Sequence, residues 1–361
     1  MLKICLSYDY ELFMGKNNGS AEEILFNPTE KIKNAMDEFG VKGVFFVDVC
    51  SAIAHRKMGL SAYSDAFDAQ LKKLVADGHD VQLHIHTSWL KAKLEDNQLL
   101  ISREGYRIHE FGFDEAKENN VRSIIKESVD YLNSVCKGAR DDYKCMAYRA
   151  GGFCIQPEHE LLKVLCENGI LIDSTVVPGY SSLDTVNYSD FRHVPKALNW
   201  RIAPETGISK ASQYGLFEVP IATSKPRLIE CLFTKKKDRS LPGVKPKGEY
   251  VKFSSKNKPA KKSKIRKKLD LLFNYRFISL DSRHYKAIIR DLEFIYKKYK
   301  LHKSDGYICL ICHPKITDDV RIENLKKLIS EALKQKEKFE FVTMEDIEKE
   351  IRTDKGIEKD A

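Results

Sequence analysis

Val41-Lys-Gly-Val-Phe-Phe-Val-Asp48 is a short apolar run that ends in an aspartate. Apolar residues at helical spacing follow from Ser64 to Ala76, and then His79-Asp-Val-Gln-Leu-His84 forms a second apolar run that ends in a histidine. Runs of this length read as buried strands and the 3.6-residue period between them as a helix, so the segment predicts two parallel strands joined by a crossover. The same unit extends in both directions. Leu2 to Tyr8 reads as a strand and Pro28 to Phe39 as the helix after it, with proline at its start. Downstream, a helix near Asp114 to Val135 is followed by a strand at Cys145 to Tyr148, and a helix from Pro157 to Glu167 by a strand at Ile170 to Asp173. Leu216 to Ile221 and Tyr307 to Cys312 read as two further strands, and Asp319 to Lys336 as a late helix. Seven or eight strand-then-helix units around one core favour closure into a (β/α) barrel of about seven parallel strands over an open doubly wound sheet.

The 361 residues, 42% hydrophobic and 31% charged, can bury a core of that size, and 34 Phe plus Tyr speak against wholesale disorder. Met1-Leu-Lys-Ile-Cys-Leu-Ser-Tyr-Asp9 has too short an apolar stretch for a secretory signal, and no window reaches the length of a membrane span. A cytoplasmic location is the expectation. The nine cysteines lie mostly in apolar runs and read as buried thiols in a reducing compartment. Cys309 and Cys312 make a C-x-x-C, but it falls inside a strand without a second pair, which argues against zinc or redox chemistry there.

Charge separates one segment from the rest. Residues 225–276 hold 18 Lys and Arg against 4 Asp and Glu, net +14, leaving 43 against 48 elsewhere. This basic stretch reads as a mobile insertion in a single barrel domain made of residues 1–224 and 277–345, with a charged C-terminal tail at 346–361. It is either a solvated loop or a contact for anionic membrane, or for phosphates on a lipid-linked substrate. Nucleic acid comes last, because no aromatic residues interleave with the lysines.

The chemistry collects where the strands end. Asp9, Asp48, His84, Arg149, Asp173 and His313 each follow an apolar run, and in barrels of alternating strands and helices this rim carries the active site. Asp9 and Glu11 are two apart and lean to one side of an extended chain. His84 and His86 share a face in the same way, and two imidazoles on one face are a typical start to a divalent metal site. Arg149 precedes Gly151-Gly152, which lets backbone come close to a neighbour, and its guanidinium could orient a carboxylate or grip an oxyanion. Asp173-Ser-Thr175 could hold that arginine or floor the pocket. His313, stopped by Pro314, suits proton transfer to a leaving amine.

Taken in order, these segments resemble the polysaccharide deacetylase family, the metal-dependent carbohydrate esterases that include chitooligosaccharide and peptidoglycan N-deacetylases. Leu6-Ser-Tyr-Asp9-Tyr-Glu11 matches the first family motif, His84 the first histidine of the second, Arg149-Ala-Gly-Gly the third, Asp173-Ser-Thr the fourth and Cys312-His313-Pro314 the fifth. The resemblance implies a distorted barrel, a divalent metal, usually zinc, and hydrolysis of an N-acetyl group on a sugar. It is narrowest to a divergent branch associated with bacterial surface polysaccharides such as O-antigen and capsule. Two positions depart from the pattern. Tyr10 stands where many members have the metal-binding aspartate, and Ser88 where the second histidine would be.

The resemblance therefore implies a site rebuilt from Glu11, His84 and His86 as metal ligands. Asp9 would be the base, Arg149 its support, His313 the acid, and Asp173 a further catalytic residue. The substrate would be an acylated sugar or glycan of a surface polysaccharide or its precursor, and the basic insertion would place the enzyme at the inner membrane face. The competing expectation is a barrel that has lost its metal and binds glycan or a partner enzyme without hydrolysing it.

Overall fold

Nine successive residues of the first strand, Leu2–Tyr10 (β1), are buried, because strands lie on both sides of it and helices cover its outer face. The computed structural model describes residues 1–14, 19–95, 98–101, 103–184, 186–225, 239–244, 251–253 and 275–353. Around β1 runs a curled sheet built from Val44–Asp48 (β2), Asp80–Ile85 (β3), Ala147–Ala150 (β4), Ile172–Asp173 (β5), Trp200–Ile202 (β6), Leu216–Glu218 (β7), Gly306–Cys312 (β8) and Phe339–Phe341 (β9). The order is β6-β7-β5-β4-β3-β2-β1-β8, with β9 against the first residues of β1, and every pairing is parallel except β6 with β7. Beyond β7 the chain meets β8: the Cys309 N–H donates to the Pro220 carbonyl at 2.9 Å and the Ala222 N–H to the Cys309 carbonyl at 2.8 Å. The sheet so returns on itself as a distorted (β/α) barrel of seven parallel strands, as the alternating pattern predicts.

The helices are Asn27–Asp37 (α1), Val49–Lys57 (α2), Ser61–Ala76 (α3), Val121–Lys137 (α4), His159–Glu167 (α5), Tyr285–Lys298 (α6), Asp319–Leu333 (α7) and Met344–Thr353 (α8). Most sit where apolar periodicity places them. α2 does not, because Val49 to His55 are all buried and a helix covered on every side has no amphipathic period. α4 begins seven residues later than its apolar pattern suggests. Asn120 caps it, accepting from the Ser123 N–H at 3.0 Å, while the Ser123 hydroxyl accepts from the Asn120 N–H.

Of the expected charged tail at 346–361, residues 346–353 lie in α8. Met344 and Ile347 are fully buried in α8, and the Thr343 and Asp346 side chains cap its start reciprocally. Buried Asp80 at the foot of β3 accepts from the Met344 and Glu345 N–H groups and so carries the helix N-terminus. Residues 354–361 lie outside the described residues. So does most of the basic segment. Its described pieces are anchored: Val251–Phe253 pairs with Leu99–Ile101, and Thr223–Ser224 with Arg276–Phe277 across its two ends. No helix among the described residues is long and apolar enough to cross a membrane.

Seven of the eight described cysteines are buried and none forms a disulfide. Cys309 and Cys312 are three apart on one strand and so face opposite sides of the sheet, which keeps the C-x-x-C from closing on a metal.

Where β4 leaves the barrel it crosses close to β3. A Cβ added at Gly151 would run into the Ile85 carbonyl and stand 2.8 Å from His86 Nδ1. Gly151→Ala is expected to cost about 1–3 kcal/mol by overpacking and to displace His86. Urea unfolding measures the first effect and metal uptake the second; unchanged values for both would remove the close approach from the account.

Candidate functional site

β1 alternates across the sheet, so Ser7, Asp9 and Glu11 face the barrel interior while Tyr8 and Tyr10 face the helices. Tyr10 donates to Gln70 on α3 at 2.7 Å and packs edge-on against Phe67. Its side chain is thus committed to the helix layer, and the donor at the rim is Glu11. Ser88 is likewise buried in the turn Thr87–Lys91 and has no hydrogen-bond partner among the described residues.

At the barrel axis stands Arg149, fully buried. Its Nη1 donates to Asp9 Oδ1 at 2.5 Å, its Nη2 to the Ser7 and Ser174 hydroxyls at 2.9 and 3.0 Å, and its Nε to the Ser174 carbonyl at 3.0 Å. The guanidinium lies 4.0 Å from the centre of the Phe46 ring. Burial alone would raise the Asp9 carboxyl, but Arg149, His84 and His313 outweigh it and hold Asp9 below the ordinary carboxylate range. Asp9 is therefore an ionised carboxylate with one oxygen clamped and the other, Oδ2, turned toward His313, whose Nε2 is 3.8 Å away.

Beside it, Glu11, His84 and His86 converge. Each offers one ligand atom and the three lie within 4.8 Å of one another. His84 Nδ1 donates to the Arg149 carbonyl at 2.8 Å, which fixes the tautomer and leaves Nε2 as the lone-pair donor. His84 Nε2 is 3.3 Å from Glu11 Oε2 and 3.1 Å from His86 Nε2, and His86 Nε2 also contacts Glu11 Oε2. A tetrahedral ion bound at ~2.1 Å requires ligand atoms roughly 3.4 Å apart, so this donor set fits a divalent cation. One carboxylate with two imidazoles suits zinc chemically. Burial would raise Glu11, but Lys315 and the two histidines pull it well below its usual value.

Asp48, ending β2, accepts from the His86 backbone N–H at 3.1 Å, while its other oxygen has no partner among the described residues. Burial pushes its carboxyl up to about 6.

His313 follows β8, the strand paired beside β1. Asp281 accepts from both its backbone N–H, at 3.0 Å, and its Nδ1, at 2.7 Å, which turns Nε2 toward Asp9 and Glu11. Burial opposes the imidazolium, but Asp281 overcomes it and raises the His313 pKa.

Asp173, expected among the catalytic residues, is placed elsewhere. Its carboxylate accepts from the Thr175 hydroxyl at 2.8 Å and the Thr175 N–H at 3.1 Å, it faces Glu218, and it does not line the cavity. The neighbour Ser174 supports Arg149 instead, through both carbonyl and hydroxyl. Asp173 forms the floor beneath that support, since Thr175 in turn accepts from the Ala150 N–H. The remaining expected residues, Asp9, Glu11, His84, His86, Arg149 and His313, come together.

Two residues of the site carry no signal in the sequence. Asp281 arrives from irregular chain after the basic segment, and Lys315 from the one-turn helix Pro314–Ile316, where it pairs with Glu11 Oε1. Only the His-Pro stop beside Lys315 hinted that the chain turns back there.

These groups line a cavity of about 440 Å³. The lining also includes the aromatic rings of Phe13, Tyr106, Phe153 and Phe277, with Phe13 beside Lys315 and Tyr106 beside His86. Gly152 and Phe153 take consecutive positive φ values, +58° and +60°, and the turn they make stacks Phe153 5.6 Å from Phe277. Aromatic faces next to a polar wall can hold a sugar ring by its C–H face while its hydroxyl and amide groups meet the polar side.

No family model matches the chain, and no curated protein matches it. Similar chain paths occur in solved structures. One is a Puue allantoinase, at 13% identity over 98% of this chain and 90% of that one, with a TM-score of 0.48. Another is a probable polysaccharide deacetylase from Pseudomonas aeruginosa PAO1, at 11% identity over 98% and 90%, also with a TM-score of 0.48. With TM-scores below 0.5, these likenesses carry no inference about chemistry, which rests on the side chains described above.

Proposed function

We propose that this protein is a metal-dependent hydrolase that removes an N-acetyl or similar acyl group from a sugar. The supporting observation is a cavity in which three metal-ligand side chains stand beside the Asp9 carboxylate, with a carboxylate-supported histidine within 4 Å of Asp9 and Glu11. Glu11, His84 and His86 would hold the ion, and when bound it would polarise the acyl carbonyl and ease deprotonation of water.

The chain's own residues do the rest. Asp9 takes the water proton on Oδ2, since Arg149 occupies Oδ1 and keeps the group ionised. His313 gives a proton from Nε2 to the departing nitrogen. Asp281 keeps that imidazole charged and correctly turned, because Nδ1 donates to it. The aromatic rings that line the cavity among the polar groups keep water from the bound sugar.

The substrate is an acylated sugar of a bacterial surface polysaccharide or its precursor, such as a lipid-linked one. The excess of 18 basic over 4 acidic residues at 225–276 supports contact with anionic lipid at the cytoplasmic membrane face. A metal-free glycan-binding barrel is the second reading, and one contact favours it: the Lys315 ammonium already neutralises Glu11.

Metal content separates the two. Protein expressed with added zinc is expected to hold one equivalent, lost on His84→Ala; wild-type protein without metal would support the binder. Asp9→Asn is expected to keep the zinc and lose about 10²–10⁴-fold in acetate release from a panel of N-acetylated sugars, and normal turnover would remove Asp9 as base. Asp281→Asn removes the anion that raises the His313 pKa, so the alkaline limb of kcat/KM should move to lower pH. An unmoved limb would show that another group is the acid.

A further inference from the structure

Glu11 differs from an aspartate by one methylene, and a longer carboxylate near an ion can rotate and bind through both oxygens. Doing so would fill the position that water and substrate need. In this site the two oxygens are already divided. Oε2 faces both imidazole Nε2 atoms, while Oε1 is turned away to the Lys315 ammonium and lies 3.6 Å from His313 Nε2. Lys315 is placed to do this by the chain. Pro314 ends β8, the one-turn helix Pro314–Ile316 folds back over the cavity, and the Lys315 ammonium sits 5.4 Å from the centre of the Phe13 ring.

We infer that Lys315 is a positioning residue that holds Glu11 as a one-oxygen metal ligand and so keeps the coordination sphere open. The inference rests on the metal-centre reading of the same site. Its logic is that of outer-shell partners elsewhere: a ligating carboxylate is itself hydrogen-bonded, and loss of that partner costs metal affinity. The alternative role for the same contact is competition, in which the ammonium opposes the ion, and it predicts the opposite sign.

The test compares Lys315→Met, which keeps the length without the charge, with Lys315→Arg, which keeps the charge. Zinc affinity is measured against a competing chelator, and visible absorption is recorded on the cobalt(II)-substituted proteins. Lys315→Met is expected to bind zinc about 10–100-fold more weakly, with weaker cobalt bands as the carboxylate adds its second oxygen, while Lys315→Arg stays within a few-fold of wild type on both. Lys315→Gln gives the same reading should the Met variant fail to fold. Equal or tighter zinc binding by Lys315→Met with an unchanged cobalt spectrum overturns this inference and leaves the metal centre standing. A wild-type protein that takes up no zinc overturns both.

Discussion

A guanidinium buried on the axis of a barrel has to be paid for in hydrogen bonds, and Arg149 sets the terms for everything around it. Four N–H groups have named acceptors, and the flat face lies on Phe46. Removing one partner of such a buried pair typically costs about 3–5 kcal/mol, because the other charge is left without compensation. The same residue serves two ends of the chemistry. Its side chain clamps Asp9, and its backbone carbonyl receives His84 Nδ1, so the proposed base and a proposed metal ligand take their orientation from one strand end.

Polar groups at the barrel's heart are arranged in layers around that charge. Below it, Asp173 and Glu218 face one another, and burial together with Asp173 pushes the Glu218 carboxyl well up. Above it, Asp9 and Glu11 are kept low by cations. Burial thus raises the carboxyls of Asp173, Glu218 and Asp48, while at Asp9 and Glu11 the cations of Arg149, Lys315 and the histidines outweigh it.

Much of this was legible in the residues. Strand ends announce themselves as apolar runs stopped by an ionisable side chain, so Asp9, His84, Arg149 and His313 could be found without coordinates. Asp173 satisfies the same rule, but its strand has only two residues and its side chain bonds Thr175 and faces Glu218, the floor position that its motif also allowed. Ser174, one position on, does the work the aspartate was expected to do. Asp281 could not be read, since nothing in irregular chain tells which of its acids reaches a histidine 32 residues away. Helix α2 was hidden by total burial, and α8 by a sequence so charged that its three apolar contacts looked incidental.

The barrel's return between Ala222 and Cys309 is stitched by very few backbone bonds, and the strand pair 223–224 with 276–277 hangs from it. The Ile278 N–H donates to the Ala222 carbonyl at 2.9 Å, and three residues later the chain delivers Asp281 to His313. Mechanically, that places Asp281, the anchor of His313, on the thinnest suture of the cylinder. Tension at either end of the basic segment, Ser224 or Arg276, meets this short hem directly.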